Sequence, residues 1–367
     1  MADYPAGEGV PRYRRGTSSD TGLQGAIEKG TVEMSIGGKW FTVPAVEVNG
    51  QIIALRGEWF KTAVVHEEDY LETEIQDPEE CIRRLKEQKA TRLRAHVFTF
   101  TQKLPATQPK FSYPMEWDSV AAVRTISFKD WWDKLPQEGR KNIRRAEKRG
   151  VIVTVKQLDH TLIQEIVDLN NDSPMRQGRP FVHYGKTVDQ VKKDQAAYPD
   201  RSDYVCAHYQ HELIGFLKIA YRGDIASIVQ ILPRESHHDK RPANALIANA
   251  IQVCASKGIS FLTYGMFNYG NRRDSSLRQF KVRNGFEEVL VPRFYVPLTW
   301  WGSLYIRLKL YRGLIGILPD RMMRLGVSAR AKWYEIARVL SRCSSMVERP
   351  NCNRQTECSK PPAGSNT

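Results

Sequence analysis

The order of strand and helix patterns between residues 151 and 298 constrains the fold of this chain most strongly. Short β-branched and aromatic runs such as "VIVTVK", "IASIVQIL" and "ISFLTYGMF" are typical of strands, whereas "HTLIQEIVDLNND" and "PANALIANAIQVCASKG" have helical periodicity. Together they predict the order β-α-α-β-β-β-α-β-α-β. A Rossmann sheet alternates more simply, and neither its glycine fingerprint nor a P-loop follows any strand here. We therefore predict an α+β fold (an α/β mixed sheet) without either of these nucleotide-binding motifs.

We predict five regions along the chain. They are a disordered segment (1–28), a small α+β domain (29–118), the mixed-sheet domain (119–300), a basic amphipathic helical segment (301–340) and a disordered tail (341–367). Within the small domain, Gly37-Gly38 and Asn49-Gly50 indicate hairpin turns. Asp77 and Pro78 indicate the cap and first turn of a helix. An alternative for the tail is read-through beyond the true end of the reading frame.

The composition favours an anionic partner. The formal net charge is +14 and the pI is about 9.5, which suits nucleic acid, phosphorylated ligands or an acidic membrane surface. The alternative is a soluble basic protein without such a partner. The N-terminus has no apolar signal region, and no run of 18 uncharged apolar residues is present. Cys81, Cys206 and Cys254 lie singly in strand or helix patterns, which indicates buried thiols and a reducing cytoplasm.

Positive charge is most concentrated in "RKNIRRAEKRG", which immediately precedes a strand. As a helix, this stretch aligns Arg140, Arg144 and Lys148 at spacings of four, with Arg145 and Arg149 on a second strip. Like charges at this spacing repel by about a few tenths of a kcal/mol per pair. The pattern therefore predicts an anionic ligand on this helix, the alternative being a fully solvated face.

Three stretches carry a resemblance to a known family. They are "LPQEGRKNIRRAEKRGVIVTV", "PANALIANAIQVCASKGISFLTYGMF" and "SSLRQFKVRNGFEEVLVPRFYVPLT". They resemble the GNAT acyltransferase superfamily, and within it the FemAB-like branch with its BioF2-like acetyltransferase domain. The resemblance implies a mixed sheet that splays between "SIVQIL" and "FLTYGMF", with an acyl donor in the cleft. The small N-terminal domain is then either a degenerate second GNAT copy or an unrelated module.

The start of the helix that begins at Pro242 is the expected binding position for the phosphate groups of the donor. Its unsatisfied backbone N–H groups suit a phosphate, and we expect Lys240, Arg241 and Asn244 to hold the donor there. The alternative is a solvated turn that only caps a helix. The preceding loop "RESHHDKRPANA" lacks the glycines of enzymes that use acetyl-CoA, which favours aminoacyl-tRNA as donor while acyl-CoA stays open.

Candidate residues for the acceptor lie in the polar-aromatic insert "NNDSPMRQGRPFVHYGK". Arg176, Arg179 and Lys186 suit an anionic acceptor, and His183 or Tyr184 suits proton transfer. The alternative is a packed surface loop with no contact to substrate.

A second candidate loop, "GMFNYGNRRD", follows the strand at the cleft. Tyr264, Asn268 and Tyr269 are expected near the carbonyl or leaving group, although a core role for Tyr264 stays open. Lys281, in the run "QFKVRNGF" that resembles FemAB-like chains, is expected to face a phosphate or solvent.

Leucine, isoleucine and tyrosine side chains from Leu304 to Leu318 recur at spacings of three and four, and residues 301–340 hold eight Lys or Arg against two Asp or Glu. This pattern predicts an amphipathic helix that lies on an anionic membrane surface or docks onto the core.

The resemblance implies an N-acyltransferase that moves an acyl or aminoacyl group from a thioester or aminoacyl-tRNA to an amine. The acceptor is expected to be a small molecule or a cell-envelope precursor, and lipid linkage of that acceptor stays open. We expect a cytoplasmic location, and peripheral contact with the inner face of the membrane stays open. We expect no DNA partner, no permanently bound cofactor and no metal. The adjacent His237 and His238 lack carboxylates at ligand spacing. The alternative is a non-catalytic RNA- or membrane-binding protein on a decayed acyltransferase scaffold.

Overall fold

The computed structural model describes residues 14–15, 29–36, 39–68, 73–88, 93–176, 178–268 and 275–312. Residues up to Leu308 belong to one compact unit, and a second unit begins at Lys309. No described helix is long and apolar enough to cross a membrane.

The strands are β1 Arg14–Arg15, β2 Lys29–Ile36, β3 Lys39–Val48, β4 Gln51–Arg56, β5 Thr62–Val65, β6 Val97–Thr101, β7 Met115–Arg124, β8 Ile152–Lys156, β9 Met175–Arg176, β10 Arg179–Pro180, β11 Ser202–Tyr209, β12 Glu212–Arg222, β13 Ile225–Pro233, β14 Phe261–Met266 and β15 Glu287–Pro297. The α-helices are α1 Pro78–Lys86, α2 Phe128–Lys134, α3 Gln137–Lys148, α4 His160–Asn170, α5 Val188–Gln195, α6 Pro242–Ser256, α7 Ser276–Arg283 and α8 Trp300–Arg307. Short 3₁₀ helices cover Pro199–Arg201, Glu235–Lys240 and Leu310–Arg312.

One mixed sheet runs through the described part of the first unit. Its strand order is β1-β2-β3-β4-β5-β6-β15-β7-β14-β13-β12-β11-β8, and β9 pairs with β10 separately. Strand β15 joins the two halves, because its first part pairs with β7 and its last part with β6. Adjacent strands are antiparallel except for the pairs β5/β6 and β13/β14. The β13/β14 pair is therefore the parallel junction of the C-terminal half.

Helices cover both faces of the C-terminal half. On one face, apolar side chains of α2, α3, α6 and α7 pack against β11 to β14 around a core that includes Ile143, Leu246 and Leu277. On the other face, α4 and α5 pack over β11 to β13. A separate core lies between α1 and the strands from β3 to β6 with β15. Burial on both faces explains why β12 and β13 have nearly continuous apolar sequences.

The predicted mixed α+β sheet is confirmed. The predicted hairpins β2/β3 and β3/β4 pair as expected, and Asn49 and Gly50 have the positive φ angles (50° and 77°) of the predicted turn. Helix α1 has the predicted Asp77 cap, and Cys81, Cys206 and Cys254 are buried free thiols.

Strand β7 was not predicted from the sequence. It follows a proline-rich stretch, and its pairing depends on β14 and β15, which lie far away along the chain. It also spans the predicted boundary between residues 118 and 119, so strands from both sides of that boundary share one sheet.

Helix α8 is shorter than the predicted amphipathic segment. It ends at Arg307, and Lys309 has a left-handed backbone conformation with φ of 54°. The periodicity from Leu304 onward therefore does not form one uninterrupted helix, and residues 313–340 of that segment lie outside the described residues. The two predicted disordered regions likewise lie outside them, apart from Arg14 and Arg15.

Candidate functional site

Strands β13 and β14 separate part of the way along their length. They pair only at Ile225↔Phe261, Ala226↔Leu262 and Ser227↔Thr263, although β13 continues to Pro233 and β14 to Met266. At the last pair, the hydroxyl oxygens of Ser227 and Thr263 lie 2.7 Å apart in a hydrogen bond. The splay that the resemblance implies is therefore present, and it opens a cleft at the carboxyl ends of the two parallel strands.

Both strands are irregular where they separate. On β13 the register with β12 shifts beside Lys218, so Val229 has no direct partner on β12. On β14 the register with β7 shifts between Thr263 and Met266. Such bulges bend a strand and re-aim its side chains. From residue 228 onward, β13 no longer pairs with β14. The backbone N–H and C=O groups on that side of β13 therefore face the cleft.

A buried lysine lies at the end of β14. The side chain of Lys281, on α7, is fully buried, and its Nζ donates a 2.6 Å hydrogen bond to the backbone oxygen of Met266. The same Nζ lies 4.5 Å from the centre of the Tyr264 ring. Burial lowers the pKa of Lys281 to about 7. The solvated position that the sequence also allowed for Lys281 is therefore wrong, and this amine is a titratable group near neutral pH.

Tyr264 is also buried, and its ring packs 5.7 Å from the ring of Phe286. It thus belongs to the core and at the same time borders Lys281, so the two roles that the sequence left open are compatible.

The start of α6 lacks a side-chain cap among the described residues. Arg241 occupies the cap position with φ of 58° and ψ of 42°, a left-handed conformation that favours glycine. Its buried Nε has no hydrogen-bond partner among the described residues. Pro242 follows at the first helical position, and the first turn contains no acidic residue. A hydrogen-bond donor without a partner and the positive end of a helix therefore lie next to each other, which is an arrangement that suits a phosphate.

The other two residues predicted to hold the donor have partners within the protein. Lys240 lies over the ring of Tyr209 at 4.6 Å and is 3.5 Å from Asp239. Asn244 is buried and donates a 2.9 Å hydrogen bond to the side chain of Asn284, at the end of α7. Asn244 therefore links α6 to α7, and Arg241 is the stronger candidate for donor contact.

The insert between α4 and α5 lies against the 3₁₀ helix that precedes α6. Asp172 accepts hydrogen bonds from Arg234 at 3.3 Å and from Ser236 at 3.1 Å. In the same insert, Arg176 lies over the ring of Phe181 at 4.4 Å. Its Nε and Nη2 are buried without a hydrogen-bond partner among the described residues. Burial and the nearby Arg234 lower the pKa of Arg176, against the opposite effect of the carboxylates of Glu235 and Asp172.

His183 packs inside the insert. Its side chain is only 5% exposed, its ring is 5.3 Å from that of Phe181, and its Nδ1 is 4.0 Å from a carboxylate oxygen of Asp194. Burial, Lys186 and Arg176 lower the pKa of His183 to about 3, so the imidazole is neutral at physiological pH. This environment matches the packed-loop alternative more closely than a role as proton donor.

The remaining predicted residues of the two loops are more dispersed. Tyr184 is about half exposed. Asn268 donates a 2.7 Å hydrogen bond to Glu288 and a 3.3 Å hydrogen bond to Ser119, which turns its amide toward β7 and β15. Arg179 lies in the short strand β10, and Tyr269 lies outside the described residues. Their predicted roles stay predictions.

Some basic residues of helix α3 have partners within the protein. Arg140 donates hydrogen bonds to the backbone oxygens of Trp132 and Asp133 at the end of α2, and Arg149 forms an ion pair with Asp239. Arg145 and Lys148 are exposed.

Arg144 lies 5.6 Å from the ring of Trp132, where it lines a groove of about 510 Å³ between α2, α3 and α6. No described residue of β13 or β14 lines this groove. Arg144 therefore lines a groove other than the cleft between β13 and β14, and the anionic ligand predicted for this helix stays a prediction.

Lys218 was missed by the sequence analysis. It lies in β12, is 1% exposed, and its Nζ donates hydrogen bonds to the backbone oxygens of Gln195 (2.9 Å) and Ala197 (2.6 Å) at the end of α5. Burial lowers its pKa to about 7. The sequence feature that indicates its burial is the single lysine inside the apolar run "LIGFLKIAY". Its partners indicate a structural cation at the negative end of a helix.

Among the described residues, no group of three or more His, Cys, Asp or Glu side chains is arranged to hold a metal ion.

No protein-family model matches the sequence, and no curated protein matches it either. Among solved structures, that of FemX is similar, with a TM-score of 0.50 and 9% identity over 77% of this chain and 91% of FemX. L-PGS from Bacillus licheniformis has a TM-score of 0.47 and 16% identity over 72% of this chain and 86% of that one. The C-terminal domain of a putative lysylphosphatidylglycerol synthetase from Agrobacterium fabrum has a TM-score of 0.46 and 13% identity over 71% and 85%.

The similarity to FemX extends over 77% of this chain, which is more than the C-terminal half of the sheet alone. At this level of identity it is a statement about architecture. The chain therefore shares its overall fold with FemX, in agreement with the mixed-sheet architecture that its sequence predicts.

Proposed function

We propose that this protein is an N-acyltransferase, which moves an acyl or aminoacyl group from a thioester or an aminoacyl-tRNA to an amine on a small molecule or cell-envelope precursor. The observation that carries the proposal is the cleft between β13 and β14. Beyond Ser227, backbone groups of β13 do not pair with β14. The buried amine of Lys281, with a pKa of about 7, is hydrogen-bonded to the backbone oxygen of Met266 at the end of β14. Both features meet at the carboxyl ends of parallel strands, where α/β-type sheets bind ligands.

The reaction needs alignment, carbonyl polarisation and proton transfer, and it needs no covalent enzyme intermediate. The acceptor nitrogen attacks the donor carbonyl carbon and forms the amide bond. The bond to sulfur, or to the ribose oxygen of the tRNA, breaks. The amine proton leaves the nitrogen, and one proton ends on the departing thiol or hydroxyl. In our proposal, backbone N–H groups of β13 polarise the carbonyl, and Lys281 in its neutral form accepts the amine proton.

The donor's phosphates would lie at the start of α6. CoA and tRNA both carry phosphate, and the Nε of Arg241 is a buried donor that lacks a partner among the described residues. Because a left-handed arginine replaces the usual glycine here, the backbone cannot approach a pyrophosphate as closely as a glycine-rich loop allows. This feature favours aminoacyl-tRNA over acyl-CoA.

The acceptor would be anionic and would contact Arg176. A buried guanidinium with two unsatisfied donor atoms binds a carboxylate or phosphate strongly, because it gains hydrogen bonds that the unbound protein lacks.

A screen of donors tests the proposal. Full-length protein is mixed with labelled acyl-CoAs or with tRNAs charged with labelled amino acids, together with a metabolite extract as the source of amines. Amide-linked label in the products is the expected result, and thermal unfolding in the presence of each donor identifies the one that binds. If no donor supports transfer and the protein instead binds uncharged RNA tightly in a salt-sensitive way, the exposed cations of α3 define a non-catalytic RNA-binding protein.

A further inference from the structure

Helix α8 has one packed face. At Gly302 a Cβ atom would lie 1.9 Å from the backbone oxygen of His96, so the helix lies directly on the strand that follows this residue. Tyr305, one turn later, stacks on Phe60 with ring centres 4.4 Å apart. These two contacts fix the rotation of α8, and they determine which of its side chains face outward.

The outward face of α8 is apolar and aromatic. Trp300 and Trp301 are 64% and 52% exposed, and their rings stack with centres 3.7 Å apart. Leu304 and Leu308 continue the exposed apolar surface along the helix. Single exposed apolar side chains are normal on a protein, whereas a contiguous group of this kind marks an interaction site.

A second element adds to this surface. Trp59 is 93% exposed at a sharp turn, where Gly57 has φ of 99° and a Cβ would lie 2.2 Å from the backbone oxygen of Phe60. The fold therefore requires glycine at this turn. Phe60 is the residue that stacks on Tyr305, so the turn lies beside α8. We call Trp59, Trp300, Trp301, Leu304 and Leu308 the aromatic surface.

Charge near the aromatic surface is mainly positive. Arg56 and Arg307 are exposed on the two elements that form it, against a single exposed acidic residue, Glu58. The chain continues from α8 into a segment with a strong excess of cations: residues 301–340 contain eight Lys or Arg and two Asp or Glu. Tryptophan side chains favour the boundary between water and lipid, and each nearby cation adds attraction to anionic headgroups.

We infer that the aromatic surface binds an anionic lipid bilayer, with the tryptophan rings at the headgroup level and Arg56 and Arg307 in contact with the headgroups. A bilayer fits better than a protein partner because the surface combines exposed tryptophan with flanking cations. This inference is independent of acyl transfer, because it uses no residue of the cleft.

Flotation of the full-length protein with lipid vesicles tests the inference. Vesicles of phosphatidylcholine mixed with phosphatidylglycerol are compared with phosphatidylcholine alone, at low and high salt. The wild type is expected to bind the mixed vesicles, and salt is expected to weaken binding. Trp300→Ser combined with Trp301→Ser should weaken binding about tenfold or more, since two large apolar side chains no longer enter the lipid. Trp59→Ser should act in the same direction.

Trp117→Ser is the matched control, because Trp117 is also about half exposed (48%) but lies in β7, outside the aromatic surface. It should bind like the wild type, and thermal unfolding should confirm that all variants are folded. Failure of the wild type to bind mixed vesicles would overturn the inference. So would equal binding by the double variant, or a dimer that the double variant alone converts to a monomer, which would show that the surface joins two copies of the chain.

Discussion

The Nζ of Lys281 and the backbone oxygen of Met266 are 2.6 Å apart, and this hydrogen bond holds a buried amine at the end of β14, where β13 and β14 have separated. A lysine buried in this way loses hydration in its charged form, and its pKa falls to about 7. The same contact therefore fixes α7 on the strand and creates a proton acceptor near neutral pH.

The first prediction concerns stability and pH. The pKa of Lys281 is about 7 in the folded protein and has a reference value of 10.5. Between these values the unfolded chain binds more protons, so the contribution of this group to stability rises with pH. Relative to Lys281→Met, the wild type should gain up to about 1.4 kcal/mol of unfolding free energy per pH unit above pH 7. Urea unfolding of both proteins at several pH values measures the difference, and curves that stay parallel would contradict the lowered pKa.

The second prediction concerns Arg176. Its Nε and Nη2 make no hydrogen bond with described residues, so Arg176→Met removes a buried charge without removing those bonds and keeps an apolar contact with Phe181. We expect the melting temperature to stay the same or to rise, while use of an anionic acceptor is lost. Thermal unfolding and transfer assays together test this. A marked loss of stability would show that the guanidinium is structural.

The third prediction separates strain from binding at Arg241. Arg241→Ala and Arg241→Gly both remove the guanidinium, so both should weaken donor binding equally. Glycine, however, adopts φ of 58° without steric cost, so the glycine variant should be more stable than the alanine variant by about 1 kcal/mol. Chemical unfolding gives the stability difference and titration with donor gives the affinities. Equal stability of the two variants would contradict the left-handed conformation.

The fourth prediction concerns the packing of α8 against the residue that precedes β6. Gly302→Ala places a methyl group against the backbone oxygen of His96 and should cost about 1–3 kcal/mol through overpacking. Ser303→Ala is the matched control, since Ser303 is the next residue and is exposed. It should change the unfolding free energy by less than about 0.5 kcal/mol. Similar effects of the two substitutions would mean that α8 does not pack as described.

The sequence predicted the local elements well and the long-range ones less well. Helix caps such as Asp77 and the Asn49-Gly50 turn depend on adjacent residues, so their signals are local. Strand β7 depends instead on β14 and β15, which supply its pairing from more than a hundred residues away. No local pattern encodes such a partner.

The features of the candidate site also differ in whether the sequence could predict them. The splay of β13 and β14 followed from the family resemblance, and Arg241 from its place before a helix. The burial of Lys281 and Lys218 could not be read from helix or strand periodicity, because it depends on how α7 and α5 dock on the sheet. The basic pattern of α3 was visible, but the sequence could not show that Arg140 and Arg149 have partners within the fold.

The most direct test of the proposed acyltransferase cleft compares two buried lysines. Lys281 and Lys218 are both inaccessible to solvent and both have a pKa of about 7, but only Lys281 lies at the end of β14 beside the cleft. The rate of labelled acyl or aminoacyl transfer to amine is measured for the wild type, Lys281→Met and Lys218→Met, each corrected for its folded fraction. We predict that Lys281→Met lowers the rate by about a hundredfold or more, as loss of a general base does, while Lys218→Met keeps the wild-type rate. Wild-type turnover by Lys281→Met, or an equal loss in both variants, would contradict the proposal.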